Sequence, residues 1–330
     1  MYLSFVSMLR SPKQRKTFSS IIKHVAAITG KSEAAVLGDV VYSGFKYGST
    51  AQEYENLKFY ERTKQNRATF ITSYYNLQNY CRLNNREDRE VFRDKVRFNS
   101  TFCDFISREW ILIDQNAPKA IADFIGRHGS IIIKPRFGDS GKDIAFFDSD
   151  AATAVTAQDL AKKYSGFLAE EILLNHDDIK ALNPSSLNTI RIITIVTKED
   201  VEFLYAGIRI GAPGSRVDNI SMGGKVAAIN LNTGEIESGF QSKTTSEVQF
   251  KVDDFTGKMM PCWEELLRFV KNAARTVPGV RYVAWDVAIT PKGPALIEGN
   301  HSSGNTITQA NIDIDSPGLR PRLEEILKKC

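Results

Sequence analysis

The stretch YVAWDVAITPKGPALIEGN, residues 282–300, contains two runs of β-forming and apolar residues separated by a turn. The first run ends at Ile289, and the segment 290–294 has the proline and glycine content of a turn. Two runs joined in this way predict an antiparallel hairpin. No helix separates them, which argues against a parallel βαβ unit, so the stretch favours an α+β fold over a Rossmann-type one.

The rest of the sequence agrees with this fold class, because helical patterns dominate its first part and strand patterns its second. Runs rich in β-branched residues predict strands at 130–135, 143–147, 166–172, 189–196, 202–210 and 224–231. Helical spacing of apolar residues predicts helices at 19–29, 31–41, within 54–83, at 91–109 (leading into an extended 110–113), 120–128, 150–164 and 261–277.

Length and composition describe an ordinary globular protein. The 330 residues predict two or three packed units, since a typical domain has about 100–200 residues. No apolar run reaches the length of about 18 residues that a membrane-spanning helix needs. The apolar start precedes its basic cluster, the reverse of a secretory signal, so we expect a cytoplasmic protein. The cysteines are scattered and predict reduced thiols (Cys81, Cys103, Cys262 and Cys330).

Charge is unevenly distributed along the chain. Residues 1–100 contain 17 Lys and Arg against nine Asp and Glu, while the remainder contains 26 against 30. The basic first third either faces an anionic partner, such as an acidic glycan or a membrane surface, or consists of solvated helix faces. No feature predicts nucleic-acid binding.

Three groups of residues are typical of catalytic sites. Asp286, Glu298 and Asn300 lie on the predicted hairpin, where their oxygens suit Mg²⁺ unless the acids simply end strands near solvent. The segment 134–144 places Lys134 before a glycine-containing loop that either cradles phosphate or forms a plain turn. Arg191 and Arg209 lie inside apolar strands and need an anionic partner, which is a structural carboxylate, a phosphate or an acyl phosphate. Two further groups accompany them, Lys225 and a loop that either closes on a ligand or is a plain turn (Asn219 to Gly224).

In this order, these elements resemble the ATP-grasp superfamily. The segment 191–304 is similar to the α-L-glutamate ligases in its strand arginines, its Asn219–Gly223–Gly224 loop and its Glu-x-Asn ending followed by Ser302 and Ser303. The wider pattern over residues 85–305, with 84–98, 132–144, 170–173 and 184–191, more closely resembles the sugar-transfer-associated ATP-grasp family. The resemblance implies an ATP-grasp fold with antiparallel sheets flanking a nucleotide cleft.

The resemblance also implies a division of the chain and a role for each matched residue. We expect a helical N-terminal region at 1–85, a linking subdomain at 86–125, a lid at 126–175 and a catalytic subdomain at 176–330. ATP would bind Lys95, Lys134, Gly138, Ser140, Gly141, Glu170, Glu171, Ile172, Leu173 and Asp177. Asp286, Glu298 and Asn300 would bind Mg²⁺, with Mn²⁺ as a substitute. Arg209, Arg191 and Lys225 would act in catalysis, and Asn219, Gly223, Gly224, Ser302 and Ser303 would bind substrate.

Two departures from the family pattern leave assignments open. The ribose-binding acid falls in Asn175-His176-Asp177-Asp178, where several residues are candidates. The glutamate ligases carry an Asp two residues before the strand arginine, whereas this chain has Thr189 there and Asn188 one residue earlier. His176 and His301 are not assigned as bases, since a lone histidine more often serves packing.

The expected activity is an ATP- and Mg²⁺-dependent carboxylate–amine ligase that works through an acyl phosphate. The family name implies a carboxylated sugar or polysaccharide precursor and an amino acid or other amine, in association with polysaccharide biosynthesis enzymes. A kinase that stops after phosphoryl transfer and a non-catalytic nucleotide-binding module of a glycosyltransferase system are the alternatives.

Overall fold

A computed structural model of the chain describes residues 12–138, 143–148, 156–218, 223–241, 255–302, 304, 306–310 and 312–330. Within these ranges, helices dominate up to residue 106 and two antiparallel sheets follow. None of the helices in these ranges is long and apolar enough to cross a membrane.

The N-terminal region consists of helices α1 (Pro12–Thr29), α2 (Glu33–Tyr47), α3 (Ala51–Asn56), α4 (Lys64–Arg67) and α5 (Ser73–Leu83). Gly30 ends α1 with a φ of +68°, a left-handed conformation that glycine adopts at low cost. Ser32 then caps α2 by accepting a hydrogen bond from the backbone N–H of Ala35. Aromatic and aliphatic side chains fill a core between these helices, among them Tyr54 and Phe59.

The predicted helix at 91–109 is wrong in extent, because three short helices replace it. These are α6 (Glu90–Arg93), α7 (Lys95–Thr101) and α8 (Cys103–Ile106). Asp94 adopts an extended conformation and its side chain caps α7 by accepting from the N–H of Val96, which ends α6. Ser107, with a φ of +49°, ends the last of them.

The first sheet has the strand order β1–β4–β2–β3 and is antiparallel throughout. Its strands are β1 (Trp110–Leu112), β2 (Ser130–Pro135), β3 (Ala145–Asp148) and β4 (Phe167–Glu171). Helices α9 (Pro118–His128) and α10 (Ala157–Lys163) cover one face, where Phe124 and Ile131 are fully buried. The other face carries Lys134 and Glu170.

The second sheet has six antiparallel strands in the order β10–β9–β5–β6–β7–β8. Its strands are β5 (Thr189–Val196), β6 (Val201–Ile210), β7 (Lys225–Ile229), β8 (Ile236–Gln241), β9 (Tyr282–Thr290) and β10 (Gly293–Asn300). Helix α12 (Trp263–Arg275) packs on this sheet. The remaining helices are the short α11 (Asp177–Lys180) and α13 (Thr306–Gln309) and the final α14 (Arg320–Lys328). The predicted hairpin is β9–β10, while β8 had no counterpart among the sequence predictions.

Candidate active site

A cavity of about 900 Å³ lies between the two sheets, and both sheets contribute to its lining. The first sheet supplies Ile132 and Lys134, and the second supplies Arg191 and Arg209. The connection 172–175, which leaves β4, forms part of the wall. This volume is at the upper end of the range of about 300–1,000 Å³ that is typical of small-molecule sites.

Glu170 is the buried anionic group of the first sheet. Its Oε2 lies 2.6 Å from Lys134 Nζ and 3.1 Å from Arg108 Nε, and Asn99 Nδ2 donates to its Oε1 at 2.9 Å. Burial alone would raise the pKa of Glu170, but the positive charges of Arg108 and Lys134 outweigh burial and hold this pKa well below its ordinary value. Glu170 is therefore ionised and neutralised by two cations.

Arg108 also connects the two sheets. Its Nη1 donates to the carbonyl oxygen of Leu296 at 2.6 Å, and its Nη2 donates to that of Ile297 at 3.3 Å. Both carbonyls belong to β10, whereas Glu170 belongs to β4. The Arg108 side chain is only 3% exposed, so one buried guanidinium spans the base of the cleft.

Asp286 is the buried anionic group of the second sheet. The strand register places it opposite Arg191 on β5 and Glu298 on β10. Arg191 donates to both carboxylate oxygens of Asp286, and Arg209 Nη1 donates to Oδ2 at 2.7 Å. Burial would raise the pKa of Asp286, but the two guanidinium groups dominate and lower it.

Asp286, Glu298 and Asn300 together present oxygen donors to the cavity. A register shift in β10 between Leu296 and Glu298 brings Glu298 beside Asp286, and Asn300 Nδ2 donates to Glu298 Oε1 at 3.1 Å. Burial and the negative charge of Asp286 raise the pKa of Glu298. Two buried carboxylates in contact need a proton or a cation between them, so this donor set fits a hard divalent ion such as Mg²⁺.

The donor set contains only two carboxylates. Across the described parts of the chain, no group of three His, Cys, Asp or Glu side chains is arranged to hold a metal ion. An ion at this position would therefore rely on the amide oxygen of Asn300 as a third protein donor. Phosphate oxygens and water complete the coordination of Mg²⁺ in nucleotide sites of this kind.

Arg209 contacts a second carboxylate, Asp218, through its other terminal nitrogen. Arg209 Nη2 lies 3.3 Å from Asp218 Oδ1, and Thr189 donates to Asp218 Oδ2 through its backbone N–H at 3.1 Å and through its hydroxyl. Burial raises the pKa of Asp218, and the charge of Arg209 opposes this increase without cancelling it. The buried Nε of Arg209 has no hydrogen-bond partner among the described residues.

Asn188, which precedes Thr189, has a structural role beside the cavity. Its Nδ2 donates to the carbonyl oxygens of Ile179 and Asn183, and its backbone N–H donates to Asn175 Oδ1 at 2.7 Å. Its side chain is thus committed to fixing the loop that enters β5.

Lys95 is positioned by an ion pair behind it. Arg136 Nε and Nη2 donate to the two oxygens of Asp94 at 2.8 and 2.6 Å, and the backbone N–H of Lys95 donates to the Arg136 carbonyl at 3.1 Å. Lys95 Nζ in turn donates to the Gly138 carbonyl at 2.8 Å. This arrangement places Lys95 beside the segment that leaves β2.

The cavity brings together most of the described residues that the sequence singled out. Its lining includes Lys95, Lys134, Gly138, Glu170, Glu171, Ile172, Leu173, Arg191, Arg209, Asp286, Glu298, Asn300 and Ser302. Four predicted residues do not line it: Asp177, Lys225, Gly223 and Gly224. The remaining predicted residues, Ser140, Gly141, Asn219 and Ser303, lie outside the described residues.

Strand alternation explains the position of Lys225. Lys225 lies opposite Ile210 in the β6–β7 pair, whereas Arg209 lies opposite Val226. Residues opposite each other share a face of the sheet and neighbours along a strand alternate, so Lys225 projects from the face opposite Arg209. Asp177 is exposed at the start of α11.

Among the residues that pair with the buried charges of the site, Asn99, Arg108 and Asp218 were not predicted. Asn99 and Arg108 belong to no motif, and only the folded chain brings them to Glu170. Asp218 immediately precedes the predicted Asn219 loop, so a search for charged residues flanking that loop would have found it.

Comparison with known proteins adds a family match. The sequence profile of the sugar-transfer associated ATP-grasp family matches residues 74–328. No curated protein matches the chain in sequence.

Solved structures that are similar to the chain include two complexes of the ATP-grasp ligase PsnB. The complex with minimal precursor, Mg and ADP has 17% identity, a TM-score of 0.45, and coverage of 80% of this chain and 68% of that chain. The complex with a phosphomimetic precursor variant has 16% identity, a TM-score of 0.44 and coverage of 75% of this chain, which spans only 60% of that ligase. D-alanyl-alanine synthetase A from Vibrio cholerae O1 biovar eltor has 12% identity, a TM-score of 0.46, and coverage of 74% and 67% respectively.

Proposed function

The chain belongs to the sugar-transfer associated ATP-grasp family, and we propose that it is an ATP- and Mg²⁺-dependent ligase that joins a carboxylate to an amine. The expected α+β fold, with antiparallel sheets flanking a cleft behind a helical N-terminal region, is confirmed. The reaction would proceed through an acyl phosphate and release ADP and phosphate.

The main support for this proposal is that cationic side chains and oxygen donors for a metal ion line the same cavity. Lys95, Lys134, Arg191 and Arg209 supply positive charge, and Asp286 with Glu298 and Asn300 supplies oxygen donors. Phosphoryl transfer depends on positioning and on stabilising charge, for which cations near the phosphates and a divalent ion are the recurrent means. A site with only one of the two sets would lack either the cations near the phosphates or the donors for the divalent ion.

In the proposed reaction, the lysines orient the nucleotide phosphates, Lys134 from the first sheet and Lys95 from the start of α7. The buried guanidinium of Arg209, whose Nε has no partner among the described residues, stabilises the negative charge of the phosphoryl group as it reaches the substrate carboxylate. Arg191 keeps Asp286 ionised and in place. Mg²⁺ bound by Asp286, Glu298 and Asn300 would supply charge neutralisation for the phosphates.

The substrate class follows from the family description and from charge. We propose a carboxylated sugar or polysaccharide precursor as the acid, an amino acid or related amine as the partner, and the cytoplasm as the compartment. The excess of Lys and Arg in residues 1–100 supports an acidic glycan. Enzymes of polysaccharide biosynthesis are the corresponding protein partners.

ADP release tests the proposal when it is measured with Mg²⁺ across a panel of uronic acids and amino acids. We expect release that requires both an acid and an amine in the wild type and that is lost in Glu298→Ala. Asp200→Asn is a matched control, because Asp200 is a surface acid paired with Lys271 and Arg275 outside the cavity. Release without any amine, with a stable phosphorylated product, would identify a kinase. ATP binding without turnover for any pair would contradict the ligase proposal.

A further inference from the structure

Asp218 pairs with Nη2 of Arg209, whereas Asp286 pairs with Nη1, and Asp218 lines the same cavity. We infer that Asp218 binds the ammonium group of the amine substrate and accepts its proton as the amine attacks. The inference rests on the proposed ligase function and assigns the amine subsite within it. Asp218 would thus be a catalytic residue.

The other carboxylates of the cavity are already committed. The described lining contains five: Glu170, Glu171, Asp218, Asp286 and Glu298. Glu170 is held by Arg108 and Lys134, while Asp286 and Glu298 form the cation site. Glu171 follows Glu170 on β4 and therefore projects from the opposite face, where its Oε2 accepts from the Glu109 backbone N–H at 3.1 Å.

Among the described residues, Asp218 keeps capacity for a further hydrogen-bond donor. An ionised carboxylate offers about four lone-pair positions. Thr189 occupies two of them with its N–H and hydroxyl, both on Oδ2, and Arg209 approaches Oδ1 at 3.3 Å. Arg209 is closer to Asp286, at 2.7 Å, so it is shared between two acids and neutralises Asp218 incompletely. An ammonium N–H is the donor that this remaining negative charge favours.

The position of Asp218 suits the second half of the reaction. Arg209 is the proposed contact of the transferring phosphoryl group, and Asp218 touches the same guanidinium. An amine held by Asp218 is therefore placed beside the acyl phosphate. Burial raises the pKa of Asp218, which makes its carboxylate a better proton acceptor than an exposed one.

Amide formation removes two protons from the ammonium nitrogen. The ammonium gives one proton to Asp218, and its nitrogen lone pair attacks the acyl carbon, forming the C–N bond. The C–O bond to phosphate breaks, and phosphate leaves with that electron pair. The second nitrogen proton passes to the departing phosphate, and Asp218 releases its proton to solvent when the amide product leaves.

The test compares two nucleophiles on one acyl phosphate. Hydroxylamine is uncharged at neutral pH, so it needs neither an ammonium site nor a proton acceptor of this kind. With the acid and amine identified by the panel, kcat/KM is measured for the amine and for hydroxylamine, the latter as hydroxamate. We expect Asp218→Asn to lower the value for the amine by about 10²-fold or more and to leave that for hydroxylamine near wild type. Asp218→Glu, which keeps the charge, should restore part of the amine reaction.

The ratio of the two values is independent of the folded fraction of each preparation. Asp200→Asn should leave both values unchanged. Equal losses for both nucleophiles in Asp218→Asn would mean that Asp218 only supports Arg209 and Thr189, and would overturn the inference. An unchanged amine value would overturn it as well. If the wild type is inactive with every pair of acid and amine, the proposed function is contradicted, and this inference falls with it.

Discussion

Each sheet buries one carboxylate between two cations, but the two clusters differ in charge balance. In the first sheet, Glu170 alone faces Arg108 and Lys134, so positive charge is in excess. In the second sheet, Arg191 and Arg209 face Asp286 together with Glu298 and Asp218, so acids are in excess. In both sheets a buried carboxylate pairs with two cations. The half of the cleft at the first sheet nevertheless favours anions, and the half at the second sheet favours cations.

This difference supports the proposed placement of a nucleotide and its metal ion. We expect the first cluster and Lys95 to attract phosphates, and the second cluster to attract a divalent ion. Arg108 belongs to both halves, since it pairs with Glu170 and donates to carbonyls of β10. It therefore couples the geometry of the two clusters as well as their charge.

The largest expected effect on stability comes from Arg108→Met. This change leaves Glu170 with Lys134 and the neutral Asn99 as its described partners, and it removes the donors to the Leu296 and Ile297 carbonyls. Breaking a buried ion pair costs about 3–5 kcal/mol, so the free energy of unfolding in urea should fall by about that amount. Arg127→Met is the control, since Arg127 pairs with Glu109 at the surface and should change stability by about 0.5 kcal/mol or less. A loss for Arg108→Met as small as the control would contradict the role of Arg108.

A pH-dependent effect of intermediate size is expected from Glu170. Its pKa in the folded state is depressed below the ordinary value of 4.5, so its stabilising contribution is complete above that value and is lost as the pH falls through the folded-state pKa. The difference in unfolding free energy between wild type and Glu170→Gln should thus be constant near neutrality and shrink below pH 4.5. Urea titrations at several pH values measure it. A difference that stays constant down to acid unfolding would mean that Glu170 is not ionised through its pairing.

The smallest effect is expected from Arg136→Gln, which removes the pair with Asp94 behind Lys95. Arg136 is 36% exposed, so solvent screens the pair and it should contribute little to stability. Because Lys95 loses its support, ADP affinity should fall severalfold while the unfolding free energy changes little. Equal ADP binding by the variant and the wild type would show that Lys95 is positioned without this pair.

The sequence predicted those parts of the fold and site that depend on local pattern. The β9–β10 hairpin and the strand arginines follow from alternation and β-branched composition, and strand spacing put Glu298 and Asn300 on one face. Arg108 could not be predicted, because its partners Glu170 and Leu296 lie 62 and 188 residues away in sequence and belong to different sheets. The division of the 91–109 segment depends on the capping of α7 by Asp94, which an apolar periodicity does not reveal.

Calorimetric titration of ADP with and without Mg²⁺ tests whether one half of the cleft binds phosphate and the other half binds the cation. Wild type, Lys134→Met and Glu298→Gln are compared. We predict that Lys134→Met weakens binding under both conditions, whereas Glu298→Gln keeps the Mg²⁺-free affinity and loses the gain that Mg²⁺ gives the wild type. Undiminished enhancement by Mg²⁺ in Glu298→Gln would contradict the assignment of the cation to the second sheet.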